Sequence, residues 1–346
     1  MTVATLKTRF SSRYEIPYPV VQAGMAFASM TEVLPVAVSE AGGIGTIANV
    51  GSLPPEILEH VWQAARRLTS RPLSINLITY YVNPSIIDTI VRLRPLSVSF
   101  HWGRPNPEWV KLLKGAGVEV WEQVGSVAEA LRAVEDGIDV VIVQGSEAGG
   151  HNYGESSLLT LLPAVRDAVG PEPMLLAAGG IVDGRSLAAA LMLGADGVWV
   201  GTRYLASVES EAHPEWKRRL LSARAVDTCC THIFGRQDPL FNPIRVLRNK
   251  VVEEWNDRVD EAPLDDQGSP GIIGSMELFG QVVPLQRFQN MAPMLSAEGD
   301  LDEFPLLSGE GVEMIRDIPT AAEITHRLVA EALTVLNGFE LSGVTK

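Results

Sequence analysis

The chain has 346 residues, 46% of them hydrophobic and 20% charged, with 31 Gly and 22 Pro, so it is too apolar to be disordered and too punctuated to be fibrous. Forty-two acidic against 28 basic side chains leave a net charge of −14, a field that argues against nucleic acid and anionic membrane surfaces as partners. No run approaches the roughly 18 apolar residues of a membrane span, and Met1 to Arg13 lacks a signal-peptide core, so the expected location is cytoplasmic.

Up to about Thr202 one pattern recurs, a short β-branched run ending in Gly, Ser or a polar residue and followed by an amphipathic stretch. The runs are Val20 to Gly24, Ile44 to Ala48, Leu73 to Leu77, Leu96 to Phe100, Val118 to Val124, Val140 to Gln144, Met174 to Ala178 and Gly197 to Gly201. Helices are expected at Thr31 to Glu40, Pro55 to Leu68, Ser126 to Asp136 and Arg185 to Leu193. Continuous apolar runs such as Val140-Val141-Ile142-Val143 suit parallel strands covered on both faces. Eight such units favour an α/β fold of the (β/α)8 TIM-barrel class, with an open doubly wound sheet as the alternative. After Thr202 the pattern changes: Glu211 to Leu221 and Arg245 to Trp255 read as helices, Pro263 to Gly274 as a loop, and Thr320 to Leu336 as a periodic helix packing back on the barrel. The expected organisation is a barrel over 1–210, a helical substrate or cap domain over 211–310, and a returning C-terminal helix over 311–346. The two cysteines, Cys229 and Cys230, are adjacent and can neither staple a loop nor make a four-ligand zinc site.

Residues just after the strands of such a barrel line its C-terminal mouth, where active sites sit. Ala178-Gly179-Gly180-Ile181 after the seventh strand and Gly201-Thr202-Arg203 after the eighth supply bare backbone at the positions where barrels hold phosphate, although glycines here also serve tight turns. Gly149-Gly150-His151, behind the sixth strand, brings a histidine to the mouth next to flexible backbone; His101, ending the fourth strand, is a second candidate. His60, His213, His232 and His326 are read as structural. Gln22-Ala23-Gly24-Met25, Asn76 and Gln123 offer carboxamides and open backbone suited to the edge of a heteroaromatic ring, or to plain strand-end hydrogen bonding. No metal is implied, since the sequence has no His-x-x-x-His, calcium loop or cysteine cluster. Gly42-Gly43-Ile44-Gly45 imitates a dinucleotide fingerprint but precedes a strand, and is rejected as one. The local chemistry reaches a phosphate-bearing organic cofactor beside a histidine.

The run Val143-Gln144-Gly145-Ser146-Glu147-Ala148-Gly149-Gly150-His151, with Ala177-Ala178-Gly179-Gly180-Ile181, Asp183-Gly184-Arg185, Gly194-Ala195-Asp196-Gly197-Val198 and Gly201-Thr202-Arg203, resembles the nitronate monooxygenase family. Gln22 to Gly45, and more loosely Phe241 to Asn249 and Glu310 to Ala332, share the resemblance. It implies an FMN-binding barrel with a helical substrate domain. It also implies flavin contacts at Ala23, Gly24, Met25, Asn76, Gln123, Gly149, Ala178, Gly179, Gly180, Gly201 and Thr202, and an active-site histidine at His151. The implied reaction is FMN-dependent oxidation of alkyl nitronates or nitroalkanes with dioxygen, giving a carbonyl product and nitrite. The flavin is non-covalent, NAD(P)H is an optional reductant, and a homodimer is compatible with the resemblance. Gln123 stands where many relatives carry lysine, and Asn152-Tyr153 separates His151 from Gly154, which leaves the substrate open. Two alternatives stand beside this: an NAD(P)H-dependent FMN reductase of a quinone or enoyl thioester, and a flavin-free barrel binding a sugar phosphate.

Overall fold

The computed structural model describes residues 5–152, 154–235, 243–263 and 270–338. Nine strands belong to its first two hundred residues: β1 (Val20–Gln22), β2 (Gly45–Asn49), β3 (Leu73–Ile78), β4 (Ser97–His101), β5 (Glu119–Val124), β6 (Val140–Gln144), the short β7 (Gly150–His151), β8 (Met174–Ala178) and β9 (Gly197–Val200). All but β7 form one parallel sheet in the order β1-β9-β8-β6-β5-β4-β3-β2. A parallel bridge between Val21 and Ile44 joins the two ends, with the Gln22 N–H donating to Ile44 O at 2.9 Å and the Ile44 N–H to Val20 O at 3.0 Å. That closure removes the sheet edges, and the open-sheet alternative fails on it.

The helices in this half are α1 (Arg9–Arg13), α2 (Val33–Glu40), α3 (Pro55–Leu68), α4 (Pro84–Leu93), α5 (Pro107–Gly115), α6 (Val127–Glu135), α7 (Leu158–Val169), α8 (Gly184–Met192) and the single turn α9 (Thr202–Leu205). Outward positions of the strands, such as Val98 and Phe100 on β4, pack beneath these helices in one buried apolar layer. The alternate positions face into the barrel. There, Val21, Ile44, Trp121, Val140, Ile142, Leu176 and Trp199 form the inner core. The indoles of Trp121 and Trp199 meet edge to face at 6.3 Å. Small side chains beside them, Ser74, Ser97 and Ser99 on β3 and β4, leave the volume that two tryptophans need.

The N-terminal end of the barrel is plugged. Thr8 and Ser11 make reciprocal capping bonds that start α1. The helix then lays Phe10 and Tyr14 against Trp121, at 5.7 and 5.8 Å. Arg9 fixes it by pairing with Asp196, just before β9, at 2.8 Å, and Tyr14 donates to Glu119 at the start of β5. With that end filled, ligand space is left at the other.

The appended segment is more mixed than its helical reading. It holds α10 (Pro214–Leu220) and also β10 (Thr228–Thr231), β11 (Ile244–Leu247), α11 (Lys250–Trp255), the hairpin β12 (Ile272–Leu278) and β13 (Gln281–Gln286), and β14 (Glu298–Gly299). The expected helix Arg245 to Trp255 divides: Ile244 and Val246 alternate inward on a strand, and Asn249 then caps a separate short helix by accepting the Val252 N–H at 3.1 Å. The expected loop Pro263 to Gly274 lies partly outside the described residues, and its end belongs to β12. Finally α12 (Ala321–Asn337), capped by Thr320, packs on α8 and α2 through Ile324, Leu328 and Ala332. Gly184 allows that approach, because a Cβ there would collide with the Ala332 backbone. Among the described residues no helix is long and apolar enough to cross a membrane.

Candidate active site

Residues at and just beyond the C-terminal ends of the strands build the barrel mouth. Asn76, His101, Gln123 and Gln144, from β3 to β6, line one cavity together with Ala23, Gly24 and Met25 after β1. The turn Ala178-Gly179-Gly180 at β8, Gly201 and Thr202 at β9, and Gly149 and His151 behind β6 line the same cavity. The residues that the resemblance implies as flavin contacts, and both candidate histidines, are thus gathered there, whereas Gln22 turns to the Thr46 N–H at 2.9 Å and Arg203 to Asp317 at 3.1 Å, and neither lines the cavity. Among the described residues no Lys or Arg lines it; its titratable side chains are His101, Glu147 and His151.

Each polar member is held by its neighbours. Asn76 donates to Ser99 Oγ at 2.9 Å, and Gly24 has no side chain because one would occupy the place of the Asn76 Cβ. Gln123 Nε2 and His101 Nδ1 share a hydrogen bond of 2.6 Å. Burial pushes the His101 imidazole down to about 4, so it is uncharged at neutral pH. Glu147 is an anchor: its carboxylate accepts the Leu158 N–H at the start of α7 at 3.0 Å. Asn152 ties the loop that carries His151, donating to Gly145 O at 3.1 Å and accepting the Gly154 N–H at 3.2 Å. Tyr153 lies outside the described residues.

His151 is not in a free loop. With Gly150 it forms β7, which pairs antiparallel with β11 of the appended segment in the order β10-β11-β7. Gln144 Nε2 donates to the His151 carbonyl at 3.3 Å. The ring lies 6.4 Å from His101 and 5.7 Å, edge to face, from Trp102, whose backbone takes a left-handed φ of 67° at the end of β4. Strain of that kind costs about 1–3 kcal/mol and is held by surrounding packing, here Ile78, Val50 and Tyr81.

Elsewhere on the cavity wall Gly179 and Gly180 have φ of 100° and 70°, a turn that side chains resist. A Cβ on Gly201 would meet only Ala23 and Met25, both at 3.8 Å, so bare backbone forms this wall too. Among the contributors that the sequence reading missed are Gln144, Trp216 on α10, and the glycine pair Gly309 and Gly311. Gln144 sat in view at a strand end. Gly309-Glu310-Gly311 carried a weak signal, two glycines flanking an acid. Gly309 donates its N–H to Thr202 Oγ1 at 3.1 Å, so the Thr202 hydroxyl already accepts one bond from the appended segment and keeps its own proton to donate. The remaining histidines stand apart, His213 capping α10 through Nδ1 at 3.2 Å and His326 packing on Tyr18.

A family-wide profile described as nitronate monooxygenase matches residues 7–89 and 79–331. A probable nitronate monooxygenase of Bacillus subtilis (strain 168) is 29% identical over 373 aligned positions, covering 94% of this chain and 99% of the relative. A (3aS,4S,5R,7aS)-5-hydroxy-7a-methyl-1-oxo-octahydro-1H-indene-4-carboxyl-CoA dehydrogenase of Rhodococcus jostii (strain RHA1) is 30% identical, covering 96% of this chain and 97% of its own. Among solved structures, FabK from Thermotoga maritima superposes with a TM-score of 0.78 at 30% identity, covering 96% of this chain and 98% of that one.

Proposed function

The chain belongs to the nitronate monooxygenase family, and on that premise we propose that it oxidises alkyl nitronates or nitroalkanes with FMN and dioxygen, releasing a carbonyl product and nitrite. The observation that carries this reading is one cavity lined both by bare glycine backbone and by a braced histidine. The glycine turns would take a monophosphate: Gly180 and Gly201 leave their backbone open, with no neighbour nearer than 3.8 Å to a Cβ at either, and the Thr202 hydroxyl retains a proton for it, while Gly179 turns the chain against Gly145 and Ala148. Asn76, Gln123 and the backbone at Ala23 to Met25 would face the ring edge, and Gly149 and Ala178 would complete the wall. The chemistry FMN supplies when bound is uptake of electrons from the substrate, with dioxygen as the final acceptor.

His151 is the side chain we assign to the substrate. An imidazole switches protonation near neutral pH, so it can take the α-proton of a neutral nitroalkane or donate a hydrogen bond to the nitro group. β7 and Trp102 fix its position from two sides. His101, held neutral, adds no competing charge beside it. If His151 is the base, His151→Asn loses about 10²–10⁴-fold in kcat/KM on neutral nitroalkane and much less on the pre-formed nitronate, with FMN still bound. Equal large losses on both substrates would instead make it a binding group, and rates near wild type on both would remove it from the chemistry.

A second reading has the Rhodococcus jostii relative in its favour, since that protein's name is a CoA-thioester dehydrogenase. On it, the same site is an FMN reductase using NAD(P)H with an enoyl thioester or quinone. Anaerobic mixing with NADH separates the two: rapid loss of flavin colour supports the reductase, and an unchanged spectrum that bleaches only with nitronate supports the oxidase.

A further inference from the structure

The segment Leu307 to Gly311 comes from the far end of the chain and supplies part of the cavity wall through Leu307, Gly309 and Gly311. It runs beside β11, with Leu307 bridging Val246 and the Ser308 N–H donating to Arg245 O at 3.3 Å. It also bonds to the barrel, through the Gly309 N–H on Thr202 Oγ1 at 3.1 Å and the Glu310 N–H on Glu147 O at 2.9 Å. Its glycines are needed for closeness: a Cβ on Gly309 would lie 2.6 Å from Glu147 O and 2.8 Å from Gly149 N. One guanidinium joins the parts. Arg245 donates through Nε to Ser146 O at 3.0 Å and through Nη1 to Thr228 Oγ1 at 3.1 Å, and Nη1 pairs with Glu310 at 3.1 Å.

We propose that the Arg245–Glu310 pair is a latch that keeps this strap closed across the glycine turns of the cavity and so governs how fast the phosphate-bearing cofactor leaves, a role that rests on the FMN reading of the site. The strap touches both the β9 turn, at Thr202, and the loop after β6, at Glu147, so a molecule held against Gly180 and Gly201 shares its wall with the strap. Release then requires the strap to lift, which breaks the Gly309 N–H bond to the Thr202 hydroxyl and the Glu310 N–H bond to Glu147 O, and parts Glu310 from Arg245. Glu310 is 38% exposed and Arg245 12%, so salt reaches the acid, and the pair weakens as ionic strength rises.

The test follows the fluorescence of FMN released after dilution of the loaded protein, for wild type and Glu310→Gln, across salt concentrations. The phosphate contributes the same salt dependence to both proteins, so their ratio isolates the pair. The expected ratio is roughly five- to tenfold faster release from Glu310→Gln at low salt, shrinking toward one near 1 M salt. A ratio of one at low salt overturns the latch, as does a ratio that salt leaves unchanged, which would mark a merely structural effect. Gly309→Ala forces the strap away without changing charge and is expected to speed release at every salt concentration; release at the wild-type rate also overturns the proposal. Protein that takes up no FMN overturns the cofactor reading and the latch together, whereas bound FMN leaving all variants equally fast overturns the latch alone.

Discussion

His101 makes the stability of this barrel depend on pH with a sign and a size that its burial fixes. Its folded-state value is about 4 against an ordinary 6.5, because burial at the mouth removes the water that an imidazolium needs. Between these two pH values the unfolded chain binds a proton that the folded chain refuses. Stability is therefore whole above pH 6.5 and falls as pH is lowered toward 4. At about 1.4 kcal/mol per pH unit, the full interval is worth about 3 kcal/mol, and the part between pH 6.5 and 5 about 2 kcal/mol. The measurement is urea unfolding of wild type and His101→Asn at steps from pH 7.5 to 5; asparagine keeps a hydrogen-bonding partner for Gln123 without a titrating ring. Other groups titrate alike in both proteins, so wild type is expected to lose about 2 kcal/mol more than the variant over that range. Parallel stability curves would refute the argument, because His101 would then titrate like a solvated histidine.

Other changes probe the two ends of the barrel. Gly180→Val puts a β-branched residue at a φ of 70° and fills backbone space at the glycine turn; the expected result is loss of bound FMN with an unchanged circular dichroism spectrum, and full FMN occupancy would move the phosphate to another mouth position. Phe10→Ala empties a fully buried site beneath Trp121 and is expected to cost about 3–5 kcal/mol in urea unfolding, whereas a loss below about 1 kcal/mol would mean that α1 does not plug the barrel.

The barrel was legible because its signals are local. A strand covered on both faces reads as a continuous apolar run, and a turn at a barrel mouth reads as glycine, so the barrel strands and the mouth residues can be found without knowing what they touch. Local signals fail where the partner decides. Arg245 to Trp255 suits a helix by composition, yet pairing with β7 and β10 draws Ile244–Leu247 into a strand. Phe10 and Tyr14 look ordinary in a charged N-terminal stretch, and only the inner faces of the strands give them a role.

Gly149 shows how a glycine that sequence reads as room for a ligand has another cause in the fold. Its lack of a side chain points, from sequence, to a ligand approaching the backbone beside His151. In the folded chain a Cβ there would instead collide with the Gly309 N and the Ser308 backbone. The glycine is required by a segment some 160 residues away in the chain, one that also reaches Thr202 and, through Arg245, the loop carrying His151. No window of sequence contains both sides of that contact. The histidine loop and the glycine turns are therefore coupled through the strap as well as through the barrel, and a substitution at Gly149 acts first on how the strap seats and only through that on the histidine and the cavity.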